Sequence, residues 1–170
     1  MIYTVSANPA LDLILTVPAI EFEVVLRAYE VRREMGGKGF NVSRFLKALG
    51  VENVAVAFAG GFTGQALAAG LAAGGVPTEF VYLHEGETRT NVVIQEPNGR
   101  RHIKANQPGA PVSAADQEAF WARLEWAFAR GRRVLFFPDQ DLGRNTAKAM
   151  GVPLEAMPMW DPRKPLGGWS

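Results

Sequence analysis

Cysteine is absent from this 170-residue chain. Disulfides, thiolate metal sites and cysteine-bound iron–sulfur clusters are therefore excluded. An excess of one charge is also missing: 18 Lys and Arg against 17 Asp and Glu leave a formal net charge of +1. With no long basic run, electrostatics makes no case for nucleic acid. No apolar run reaches the roughly 20 residues of a membrane helix. The first residues lack the charged and then apolar segments of a secretory leader. The expectation is a soluble, cytoplasmic protein. Internal repeats and low-complexity linkers are lacking too, and the length fits one domain with a real core.

What is present begins with Gly36-Gly37-Lys38-Gly39-Phe40-Asn41-Val42. Three glycines and a lysine open into a helical pattern, with Val42, Phe45, Leu46 and Leu49 at i, i+3, i+4 and i+7 and Gly50 at the helix end. Glycines let backbone approach a ligand closely, and the free N–H groups of a first helical turn favour an anion. The spacing fits neither a Walker loop, since Gly39 follows Lys38, nor a dinucleotide fingerprint, whose third glycine would fall at Val42.

Elsewhere the pattern alternates. Strands are expected near 2–6, 53–58 and 79–83, with helices at 40–49 and 63–73, which argues for a parallel sheet covered by helices. Two segments interrupt it. Residues 12–35 carry an alternation in which Val24, Leu26 and Ala28 oppose Glu23, Arg27 and Glu30. Residues 90–105 read as a hairpin, 91–95 and 101–105, turning on Asn98-Gly99. A further helix is capped by Ser113, with Asp116 in its first turn and Gly131 at its end. Phe120, Leu124 and Phe128 form its apolar stripe and are expected in the core.

Five motifs then stand in order: Asn8-Pro9-Ala10-Leu11-Asp12, the glycine stretch, Gly60-Gly61-Phe62-Thr63-Gly64, Thr88-Arg89-Thr90-Asn91 and Asn106-Gln107-Pro108-Gly109. On these, residues 1–128 resemble the ribokinase-like sugar kinases, in the branch that holds 1-phosphofructokinase, tagatose-6-phosphate kinase and the minor 6-phosphofructokinase. The resemblance implies an α/β fold, a Rossmann-like parallel sheet with flanking helices and a small β lid made of 12–35 and 90–105. It also implies dimerisation through that lid and a hexose phosphate as substrate, with ATP and Mg as cofactors in the parent family. Asp12 corresponds to the sugar-binding aspartate, and a carboxylate suits sugar hydroxyls because it accepts several O–H donors at once. Gly37 and Gly39 bring backbone to the sugar, and Asn41 offers an amide. Arg89, Asn91 and Lys104 fall where the family presents polar and basic groups to the substrate phosphate. Lys38 is a further candidate, and Arg27, Arg101 and His102 are weaker ones. The branch favours fructose 1-phosphate, on Glu87-Thr88-Arg89-Thr90-Asn91 and Gly36 to Val42.

The family's Gly-Ala-Gly-Asp-type motif, which supplies an anion hole and a base for phosphoryl transfer, has no counterpart here. Besides Asp12 the aspartates are Asp116, Asp139, Asp141 and Asp161, and none follows a glycine-rich turn. No catalytic residue and no metal ligand is therefore expected in this chain. From Val134-Leu135-Phe136-Phe137-Pro138-Asp139 through Trp160-Asp161-Pro162 the sequence instead resembles an internal segment of quinolinate synthase, over about 133–168. It reads as a strand at 133–137, a helix at 142–150 closed by Gly151, and a tail. The expected division is 1–132, a kinase half-domain, and 133–170, a segment of different origin. Three functional readings follow: a truncated sugar-phosphate kinase that is inactive alone, half of a split kinase completed by another chain, or a non-catalytic sugar-phosphate-binding module. The first is preferred, since no sequence feature points to a completing chain.

Overall fold

The computed structural model describes residues 1–131, Asn145, Lys148, 151–157 and 163–165. The chain divides into two compact units, Met1–Arg132 and Arg133–Ser170. In the second, Asn145 and Lys148 are helical, and Gly151, at φ +82°, donates its N–H to the Lys148 carbonyl at 3.0 Å. The expected strand at 133–137, together with Asp139, Asp141 and Asp161, lies outside the described residues.

The first unit is built on strands β1 (Ile2–Ser6), β4 (Asn53–Ala59) and β5 (Thr78–Tyr82). They pair in parallel in the order β1-β4-β5. The central strand reads Asn-Val-Ala-Val-Ala-Phe-Ala and is buried at every position but one. That near-continuous apolar run marks a strand covered on both faces. On one side, Ala55 and Ala57 join Phe40 from helix α1 (Lys38–Ala48), Leu67 and Leu71 from α2 (Gly61–Ala73), and Val76 in a sealed core. Phe40 stacks on Phe80 with ring centroids 5.7 Å apart. On the other side lies α3 (Ala114–Arg130), whose Phe120 stacks on Phe58 at 4.0 Å and whose Trp126 meets Tyr3 edge-on at 5.2 Å. The result is a three-layer α/β arrangement.

A second sheet has four strands in the order β3-β2-β6-β7: Glu30–Gly36, Ala10–Thr16, Thr90–Gln95 and His102–Asn106. Its central seam, β2 with β6, is parallel, and its outer pairs are antiparallel. This is the expected lid. The hairpin turns through Asn98 and Gly99, both in the left-handed region at φ +71° and +64°. That conformation explains the preference for Asn-Gly there.

Three expectations need correction. The alternation around Val24, Leu26 and Ala28 does not form a strand. Residues 17–29 are a loop, closed where the Tyr29 N–H meets the Thr16 carbonyl at 3.0 Å, with Glu23 at φ +63°. The lid strands pair on either side of it, so its alternating residues face no partner strand. In α1 the buried positions are Gly39, Phe40 and Ser43, whereas Phe45 and Leu49 are exposed. Small residues at 39 and 43 let the helix lie close on β1, so the contact face is rotated from the apolar stripe. In α3, Asp116, Phe120 and Ala127 are buried and Phe128 is exposed. The capping contacts of Asp116 fix which face of that helix turns inward.

Candidate functional site

Asp12 stands in the middle of the lid, on β2. Its neighbours across the ladder are Glu34 on β3 and Asn91 on β6, and Asn91 in turn opposes Asn106 on β7. Directly opposed residues share a face, so Glu34, Asp12, Asn91 and Asn106 form one polar row across all four strands. The Asn91 amide, which is buried, donates to Asp12 Oδ1 at 2.7 Å. The other oxygen, Oδ2, lies over Gly36, where a Cβ would stand only 2.7 Å from it. The carboxylate is thus held on one side and presented beside the glycine turn on the other.

That turn starts α1. Gly37, at φ +155°, is the residue before the helix, and a Cβ at Gly39 would stand 2.6 Å from the Val5 carbonyl oxygen. Glycine at 39 is what brings the helix start against the end of β1. Beneath it, the Ser6 hydroxyl is buried without a hydrogen-bond partner among the described residues. Lys38 is exposed in the first turn. Asn41 is exposed, and its Oδ1 accepts from Arg44 Nη2 at 2.6 Å.

Arg89 sits at the entry to β6, where its guanidinium donates to the Asn8 carbonyl at 3.2 Å and the Pro9 carbonyl at 3.4 Å. It lines a cleft of about 190 Å³ with Asn8, Pro9, Phe58, Leu83 and Gly109. The segment that carries it is pinned to the start of α2. Thr88 Oγ1 accepts from the Gly60 N–H at 2.8 Å, and the Glu87 carboxylate accepts from the N–H groups of Phe62 and Thr63, both at 3.0 Å. Those two backbone donors hold the Glu87 carboxyl below the usual carboxylate range.

Lys104 is exposed on β7 opposite Val93, on the face that carries Asp12 but two strands away. At the usual strand spacing this is roughly 10 Å across the sheet. Among the weaker candidates, Arg27 is exposed in the 17–29 loop, and His102 lies 3.4 Å from the Gly99 carbonyl. Arg101 is paired with Glu96 at 2.8 Å. The sequence motifs include Gly36 and Asn106 without marking either as a site residue, and Glu34 stands in none of them. For Asn106 a signal existed, because a hairpin centred between Asn98 and Gly99 places Asn91 opposite it.

The parallel sheet between helices, with a lid whose Asp12 carboxylate meets a glycine-opened helix, defines an α/β protein of ribokinase-like architecture. The sequence profile of the pfkB family carbohydrate kinases matches residues 5–128, and the chain belongs to that family. It is 36% identical over 125 residues to 1-phosphofructokinase of Bacillus subtilis, covering 74% of this chain and 40% of that protein. The solved structure of a possible 1-phosphofructokinase from Thermotoga maritima superposes with a TM-score of 0.72 at 30% identity, covering 89% of this chain and 52% of that one. A separate likeness runs to quinolinate synthase of Corynebacterium glutamicum, 76% identical over 45 residues, or 26% of this chain and 11% of that enzyme. The chain therefore spans well under two thirds of each relative. Among the described residues no helix is long and apolar enough to cross a membrane.

Proposed function

We propose that residues 1–132 recognise a hexose phosphate in the manner of a 1-phosphofructokinase, and that this 170-residue chain by itself does not transfer phosphate. The observation that carries the reading is the Asp12 carboxylate, fixed by Asn91 through one oxygen and offering the other beside the glycine turn. In this reading Asp12 accepts sugar hydroxyls, while Gly37, Lys38, Gly39 and Asn41 offer backbone and polar groups at the helix start. Arg89 and Lys104 attract the phosphate, and Asn91 holds Asp12 in place. Fructose 1-phosphate is the favoured ligand.

Mg-ATP is the cofactor of the parent family, and the Gly-Ala-Gly-Asp-type motif that would serve it has no counterpart in this sequence. Among the described residues no three His, Asp or Glu side chains stand together to hold a metal ion. The role assigned to this chain is recognition, with no step through the nucleotide. A base positioned for proton transfer typically contributes ~10²–10⁴-fold, and proximity of two bound reactants roughly 7–11 kcal/mol. Neither is supplied by a sugar site alone. A second copy is the proposed partner. The lid face opposite Asp12 carries Val31, Leu15, Ile94 and Ile103 in one cross-strand row, with Val31 and Ile103 exposed.

Calorimetry with fructose 1-phosphate, fructose 6-phosphate and tagatose 6-phosphate tests recognition. Asp12→Ala should abolish binding, because the lost contacts are charge-assisted. Equal affinity in mutant and parent refutes the site. Sustained ADP release from Mg-ATP and sugar phosphate, above an Asp12→Ala control, refutes the lack of turnover.

A further inference from the structure

We propose that Gly36 is a positioning residue for Asp12, an inference that rests on the reading of Asp12 as a sugar ligand. Gly36 closes β3 opposite Ala10 and is not among the glycines with positive φ. Its backbone therefore does not demand glycine. What the missing side chain provides is space. A Cβ at position 36 would stand 2.7 Å from Asp12 Oδ2 and 2.9 Å from its Cγ.

The register explains why that space matters. Asp12 directly opposes Glu34, a like charge, and Gly36 is its diagonal neighbour on the same face. Like charges directly opposed across strands repel. Leaning over Gly36 carries the Asp12 carboxylate away from Glu34 and toward the turn that opens α1. From the other flank, the buried Asn91 amide holds Oδ1 at 2.7 Å. A methyl group at 36 fills the place where Oδ2 rests. The carboxylate then turns back toward Glu34 and leaves its bond to Asn91. The two shortest approaches are to the Asp12 side chain, with the Ala10 carbonyl oxygen further off at 3.1 Å, so the orientation of the carboxylate bears more of the cost than the strands do.

The test compares Gly36→Ala, Asp12→Ala and the double variant in the full chain. Fructose 1-phosphate calorimetry should show at least tenfold weaker binding for Gly36→Ala, with the urea midpoint close to the parent's. In the Asp12→Ala background, where binding is already lost, the same substitution should leave the urea midpoint unchanged. The side-chain amide resonances of Asn91, read by ¹H–¹⁵N spectroscopy, should move in Gly36→Ala as they do in Asp12→Ala. Parent-like Asn91 resonances in Gly36→Ala overturn the proposal, even if the parent binds no sugar phosphate and the functional reading fails. If Gly36→Ala does not fold, Asp12→Ala should rescue it by vacating the space. An unfolded double variant overturns the proposal as well.

Discussion

Replacing Gly39 by alanine places a methyl group against the backbone of β1. A Cβ there would stand 2.6 Å from the Val5 carbonyl oxygen, 2.8 Å from its carbon and 2.7 Å from the Ser6 hydroxyl. Backbone in a paired strand cannot rotate away, so α1 must lift from the sheet, and Phe40, sealed one residue later, must follow. Overpacking of this kind costs about 1–3 kcal/mol. The better helix propensity of alanine returns at most about 1 kcal/mol, leaving a net loss on the order of 1–2 kcal/mol. Gly70→Ala is the informative comparison. A Cβ there would stand 2.5 Å from the Met35 sulfur, nominally a closer approach. A thioether on a flexible side chain can swing aside, and position 70 lies inside a helix, where alanine is favoured. That variant should match or exceed the parent. Urea unfolding followed by tryptophan fluorescence, read as midpoints at constant slope, separates the two. The reasoning is refuted if Gly39→Ala is as stable as the parent, or if Gly70→Ala loses more than Gly39→Ala.

Other outcomes follow from the same structure. Phe40→Ala should destabilise by about 3–5 kcal/mol, since the ring is fully buried on Phe80, and a loss below 1 kcal/mol in urea melts would contradict the assigned core. Acid should weaken the fold through Asp116 and Glu87. The Ser113 hydroxyl and then His84 hold the Asp116 carboxyl far below its ordinary range, and backbone donors do the same to a lesser extent for Glu87. Depressed carboxyls stabilise the folded state above their unfolded pKa and lose that contribution as pH falls toward the folded value. Melting temperatures from pH 7 to 3 should therefore fall more steeply for the parent than for Asp116→Asn. Ile103→Glu should shift any dimer toward monomer in sedimentation, and an unchanged distribution argues against assembly through the lid.

The alternating strands and helices were legible because buried apolar runs and glycine punctuation are local signals. Ile2–Ser6 follows from its own residues, and the lid hairpin from Asn98-Gly99. The helices begin two residues before the expected starts, at Lys38 and Gly61. The start of α2 is held by Glu87, 26 residues downstream of Gly61, a contact no local pattern announces. The stripes of α1 and α3 misled for a related reason. Hydrophobicity says which residues would tolerate burial, whereas Gly39, Ser43 and Asp116 show that close approach and hydrogen bonding chose the buried face. For the site, the motif order brought Asp12 and Asn91 to notice. The space over Gly36 and the place of Glu34 opposite Asp12 required the ladder register.

The seam between β2 and β6 joins residues about eighty positions apart, yet each lid pair leaves the chain as a separate excursion, one after β1 and one after β5. Contacts so distant in sequence bear a loop-closure cost before they reward it. The Asn91–Asp12 bond crosses that seam, so the Asp12 carboxylate acquires its orientation only when both excursions have met. Occupancy of this site is thus a readout of completed lid assembly, and a ligand that binds only the joined seam favours it by mass action. On the reading proposed for Asp12, binding there and the joining of the two excursions are the same closure.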